Sequence, residues 1–240
     1  MTLRLKPPRV PWTPFPDVVL HASETAVKKH PVYSAAKRGD FQAAARLVSA
    51  SISEAAIDRL AEIIGTRAPI LVSVHAFEAD GTNAIPRALA EQLGEYLNIR
   101  VENSVFQVNV VNHTGAKGPD RLARQAGFDG TIISGEDYVI VDDFVGQGGT
   151  LANLRGFVEF NGGRVIAATT LTGKPFSAKL AVDADQLAAL RAKHGEALEI
   201  WWNDRFGHTF DCLTQSEARY LEKTSTANTI RDRIVAAEQA

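Results

Sequence analysis

Cysteine is almost missing from this chain: Cys212 is the only one in 240 residues. An intramolecular disulfide is therefore excluded, as is a cysteine-based metal site within one chain. A reducing cytoplasm fits. Long apolar runs are missing too. No stretch approaches the ~20 residues of a membrane-spanning helix. The opening Met1-Thr2-Leu3-Arg4-Leu5-Lys6 runs into prolines instead of an apolar signal core. A soluble, unexported protein is expected. Neither sign of charge dominates, with a net charge of −2, so nothing global points to nucleic acid or an anionic membrane. His21, His30, His113 and His194 are scattered without ligand spacing, so no zinc site is expected. There is no internal repeat.

What is present is an ordinary globular balance, 45 % hydrophobic and 22 % charged. The length suits one domain with elaborations and can bury a sizeable core. Three parts are expected: a Pro-rich arm and helical segment over residues 1–66, a core over 67–175, and a cap over 176–240. Pro7, Pro8, Pro11, Pro14 and Pro16 keep the arm extended, wrapped on the core through Trp12 and Phe15. Docking to a partner is the other reading of this arm. Residues 33–66 carry helical stripes, broken near Gly39-Asp40 and stopped at Gly65.

Strands then alternate with helices. Strands are predicted at Ile70–Val74, Val101–Val111, Tyr138–Val141 and Val165–Leu171. Helices are predicted at Ala84–Leu93, stopped by Gly94, and at Leu151–Phe160. This order implies a parallel α/β sheet covered on both faces. After Pro175 the alternation ends. Helices are expected at Asp183–His194, Ser216–Leu221 and Thr229–Ala237, with a strand at Leu198–Trp202.

One segment carries chemistry. Tyr138-Val139-Ile140-Val141 is followed by Asp142-Asp143, then Phe144-Val145, then Gly146-Gln147-Gly148-Gly149-Thr150 at the head of an amphipathic helix. Ligands of open α/β sheets sit at the carboxyl ends of strands. Glycines let backbone N–H groups approach a phosphate, and the following helix adds unpaired donors and a positive dipole end. Two adjacent carboxylates want hydroxyl donors or a cation. A ribose 5-phosphate satisfies both ends, its phosphate in the turn and its diol on the acids. The plainer alternative is a strand–turn–helix whose acids cap the helix. A dinucleotide fingerprint is incomplete, because Leu151 stands where the third glycine belongs.

The segment Tyr138–Thr150 resembles the signature for 5-phosphoribosyl-1-pyrophosphate (PRPP) in type I phosphoribosyltransferases. The resemblance covers roughly residues 67–175 and implies a Rossmann-like parallel core with a cap, or hood. It implies that Asp142 and Asp143 hold the ribose and a metal, and that Gly146, Gln147, Gly148, Gly149 and Thr150 bind the 5′-phosphate. The loop His75–Asn83 takes the place of the pyrophosphate loop, with Glu78, Ala79, Asp80 and Gly81; its acids would need Mg2+ between themselves and pyrophosphate. Asn112–Gln125 takes the place of the closing loop, where Lys117, Arg121 and Arg124 would neutralise departing pyrophosphate.

Departures from the family pattern are Gly146 and Gln147, where Thr or Ala and then Thr are common. Some 6-oxopurine enzymes carry an acid at the place of Gly146, which weakens that assignment. Lys174 stands where those enzymes keep a base-reading lysine. Trp201, Trp202, Phe206 and His208 are candidates to bind the acceptor, or else form the core of the cap. The implied activity is transfer of phosphoribosyl from PRPP to a nitrogen of an unidentified acceptor. A non-catalytic PRPP or nucleotide sensor on the same fold is the alternative. A homodimer is expected by analogy alone.

Overall fold

Short apolar runs form the sheet, and their order places the site. The computed structural model describes residues 6–75, 81–109 and 118–239, and the backbone of 77–78. Five parallel strands make one sheet: β1 (Val19–Ala22), β2 (Ile70–Ser73), β5 (Val101–Glu102), β8 (Asp137–Val145) and β9 (Arg164–Gly173), in the order β1-β9-β8-β2-β5. Two antiparallel ribbons flank it. In one, β3 (Phe77–Glu78) pairs with β4 (Gly81–Thr82); in the other, β6 (Phe106–Gln107) pairs with β7 (Phe128–Asp129). The central strands β2 and β8 are buried on both faces, as a parallel sheet demands.

One face is covered by α1 (Glu24–Lys28), α2 (Tyr33–Lys37), α3 (Phe41–Ser51), α4 (Glu54–Ile64) and α5 (Ile85–Leu97). Their apolar stripes meet Leu71, Val139, Val141 and Leu171. Local chemistry sets several helix starts. Ser23 caps α1 and Asp40 caps α3, each side chain accepting a backbone N–H three residues on. The other face is covered by α7 (Gly149–Phe160), through Leu151, Leu154 and Val158 against Ile140 and Ala168. Beside it runs the Pro-rich arm, extended as expected. Trp12 and Phe15 pack edge to face, and the Arg155 guanidinium lies 4.4 Å from the Trp12 ring centroid.

The chain leaves β2 through α5 on one face and leaves β8 through α7 on the other. Right-handed crossovers of opposite direction require this arrangement. The direction reverses between β2 and β8, where an open α/β sheet has its binding crevice. The fold is thus the expected α/β, Rossmann-like parallel sheet with helices on both faces.

A third apolar cluster lies among α6 (Gly118–Ala123), α8 (Ala184–His194), α9 (Glu196–Phe206), α10 (Gln215–Lys223) and α11 (Ala227–Gln239). The arm reaches these helices: Lys6 donates to the Asp204 carbonyl, and the Trp12 indole N–H donates to the Leu213 carbonyl at 2.7 Å.

Three local expectations are corrected, and one strand is added. Leu198–Trp202 is helical, inside α9; Leu198, Trp202 and Phe206 are spaced four apart and all face the core. Val101–Val111 is not one strand. In its described part, Glu102 accepts the Ser104 N–H at 2.7 Å and breaks it into β5 and β6. Gly94 does not end α5, which continues to Leu97 and is capped by Asn98 in the left-handed region (φ 52°). Glycine suits position 94 because a Cβ would lie 2.7 Å from the Val101 side chain. Finally, β1 was not expected at all. It is a four-residue edge strand beside β9, just after the prolines.

Candidate functional site

The candidate site is built where β8 hands over to α7. The strand runs through both acids to Val145, pairing with β9 from Asp137↔Arg164 to Val145↔Gly173. Gly148 then takes φ 83°, a left-handed conformation that glycine adopts freely, and caps α7. Gly146, Gln147, Gly149 and Thr150 are all partly exposed. The turn therefore presents its backbone at a helix N-terminus, the arrangement that binds anions.

The C-terminal part braces this turn from behind. Thr214 donates its hydroxyl to the Gln147 carbonyl at 2.5 Å. Thr214 and Glu217 form the capping box of α10. Arg9 of the arm grips Glu217 with two hydrogen bonds, at 2.6 and 3.0 Å, and donates to Asn153 of α7 at 2.6 Å. Both side chains of this ion pair are about 2 % exposed. Burial pushes Glu217 up, but Arg9 and the Thr214 N–H outweigh it and hold the carboxyl below its ordinary range. A paired Glu217 is thus a fixed carboxylate under Gly149, where a Cβ would lie 2.7 Å from Oε1.

The two acids point to different surroundings. Asp142 is buried and accepts the Asp143 backbone N–H at 2.8 Å. Burial, then the neighbouring Asp143 carboxylate, push its pKa well above the usual carboxylate range. Asp143 pairs with Lys37 of α2 at 3.2 Å. The described residues contain no group of three or more His, Cys, Asp or Glu side chains suited to a metal. Either carboxylate offers Mg2+ a hard oxygen, but as neighbours on one strand they face different sides, so most of the ion's ligands would have to be water and substrate oxygens.

The predicted cations separate. Arg121 on α6 is brought to the turn: a Cβ on Gly146 would overlap its guanidinium, 3.4 Å from Cζ. Burial lowers its pKa, opposed by the Glu24 carboxylate. Arg124 is turned elsewhere and donates to the Ala237 carbonyl in the last turn of α11. Lys117, Ala79, Asp80 and the Glu78 side chain lie outside the described residues; Gly81 is in β4. Lys174 follows β9 and pairs with Glu24, which also takes Lys28. Trp202 and Phe206 are corrected from acceptor contacts to core. They are 0 % and 2 % exposed, with ring centroids 4.3 Å apart, so neither offers a face to a ligand. His208 is buried beside them, and burial lowers its pKa to about 4.

Comparison with known proteins gives relatives of uneven length. No family model matches the chain. It is 42 % identical over 229 residues to Protein TraN of Escherichia coli, covering 95 % of this chain and 51 % of that protein. It is 37 % identical over 144 residues to an uncharacterized protein of Haemophilus influenzae, covering 60 % of this chain and 32 % of that one. The chain thus spans about half the length of the first relative and a third of the second. Among solved structures, an adenine phosphoribosyltransferase overlaps 63 % of this chain and 75 % of its own, with a TM-score of 0.36 and 14 % identity. That overlap is partial, and the reading of the site rests on this chain's own residues.

Sequence reasoning missed Lys37, Arg9, Thr214 and Glu217. Lys37 is 106 residues from Asp143, and Arg9 is 208 from Glu217, so no local spacing joins them. Thr214-x-x-Glu217 is a capping box and was legible as a helix start, though not as a brace for another helix.

Proposed function

We propose that this chain binds PRPP, carried in with Mg2+, at the β8–α7 turn, and transfers its phosphoribosyl group to a nitrogen acceptor. One observation carries the reading. An anion-binding turn and two adjacent carboxylates, one of them buried with a raised pKa, lie on a single strand at the switch point of a parallel sheet. A sugar phosphate matches that pattern from end to end. Its phosphate takes the amides of Gly146–Thr150, and its hydroxyls donate to Asp142 and Asp143.

In the reaction, the acceptor nitrogen forms a bond to the anomeric carbon. The bond from that carbon to the pyrophosphate oxygen breaks, and its electron pair leaves with pyrophosphate. The acceptor's proton passes to solvent. No covalent intermediate with the protein is required. Holding the ribose in line supplies roughly 7–11 kcal/mol of the barrier lowering available from positioning. When bound, Mg2+ supplies positive charge to the departing pyrophosphate.

The burial of Trp202 and Phe206 favours a second reading, a PRPP or nucleotide sensor without turnover. One experiment separates the two: incubation with PRPP, Mg2+ and a panel of nucleobases and related heterocycles, scored for pyrophosphate release. Release with one base identifies the acceptor. Binding of PRPP without release from any base selects the sensor.

A further inference from the structure

The geometry points to Arg121 as a ligand of the same anion that the β8–α7 turn takes, its guanidinium standing in the space of the side chain that Gly146 lacks. This rests on the sugar-phosphate reading above and assigns Arg121 to the 5′-phosphate instead of to the departing pyrophosphate.

Two observations carry it. First, Gly146 is not glycine for backbone reasons. It is not among the glycines with positive φ, unlike Gly148 two residues later. What glycine leaves here is room for the Arg121 guanidinium: a Cβ would overlap Nη1 and lie 3.4 Å from Cζ, so any side chain at 146 would have to push the guanidinium aside. Second, further cations stand near this side of the turn. Lys28 lies 4.6 Å from the centroid of the Phe144 ring, two residues before Gly146. Lys28 and Lys174 share the one carboxylate of Glu24, which also acts on Arg121 across space. Against these, Asp143 is answered by Lys37. A planar guanidinium with several fixed donors suits a phosphate better than a single hydroxyl does. The turn therefore replaces a short hydroxyl side chain, contributed from within, by a long cation contributed from α6.

The test compares ribose 5-phosphate and inorganic pyrophosphate as probes, by calorimetric titration of the full chain. Wild type must first bind ribose 5-phosphate; no binding would remove both the site reading and this inference. Given binding, Arg121→Ala is expected to weaken ribose 5-phosphate by at least about tenfold, the loss of a hydrogen bond between charged groups, and to leave pyrophosphate within about twofold. Arg121→Lys should recover part of the loss. Gly146→Ser should weaken ribose 5-phosphate in wild type by displacing the guanidinium, and should have little further effect in the Arg121→Ala background. Unchanged or tighter ribose 5-phosphate binding by a folded Arg121→Ala, or loss confined to pyrophosphate, overturns the assignment while leaving the site reading intact.

Discussion

Asp142 is the residue whose chemistry is most exposed to test. Its raised pKa means that the folded chain holds a proton which the unfolded chain releases near pH 4. Its contribution to stability is therefore most favourable at low pH. That contribution is lost as pH rises from about 4 through the folded value. Asp142→Asn removes the penalty. Thermal melts at pH 8 should show the variant melting above wild type, with the difference closing near pH 4, while PRPP binding is lost. A lower midpoint at pH 8 would mean that the carboxylate is paired in the native state. Glu217 is the opposite case, a carboxylate already answered. Glu217→Gln leaves Arg9 buried and uncompensated, an effect of about 3–5 kcal/mol in denaturant unfolding. At this scale the sequence was half legible. Two adjacent acids before a glycine turn announce themselves, whereas Lys37 and Arg9 are joined to their partners only by the folded chain.

Elements were legible where one signal acted alone. The run Tyr138–Val141, the glycine turn and the Leu151, Leu154, Val158 stripe gave strand, turn and helix in the right places. The observed strand is longer, because pairing with β9 carries it through the acids to Val145. Reading failed where signals competed. The aromatic and β-branched residues at 198–202 suggest a strand over five positions. The four-residue spacing of Leu198, Trp202 and Phe206 selects a helix once there is a core to bury it. That core role predicts a large effect: Trp202→Ala should lower unfolding free energy by about 3–5 kcal/mol in urea titration, and PRPP affinity of the protein that remains folded should not change. A Trp202 that binds acceptor would give the reverse pattern, with small destabilisation and lost turnover.

At the scale of the whole molecule, the sheet order was implied by alternation but not its edges. The first strand joins β9 from more than a hundred residues away, and the C-terminal helices reach back to the turn through Thr214 and Glu217. No helix among the described residues is long and apolar enough to cross a membrane. Two of the buried histidines among the described residues, His21 and His208, are each lowered by burial to about 4. Both stay neutral in the fold while the unfolded chain takes up protons below about pH 6.5. Stability is present above that value and falls as pH drops toward 4, by on the order of 3 kcal/mol per histidine. Urea midpoints measured from pH 7 to pH 4 should fall across this window; a flat profile would place both imidazoles in water.

The central claim is that a sugar phosphate docks where β8 meets α7, and it is tested most directly by calorimetric titration of PRPP with Mg2+. Wild type should bind at one site per chain, and a folded Asp142→Asn, Asp143→Asn double variant should show no binding. Equal heats from both proteins, or none from wild type, would contradict the account.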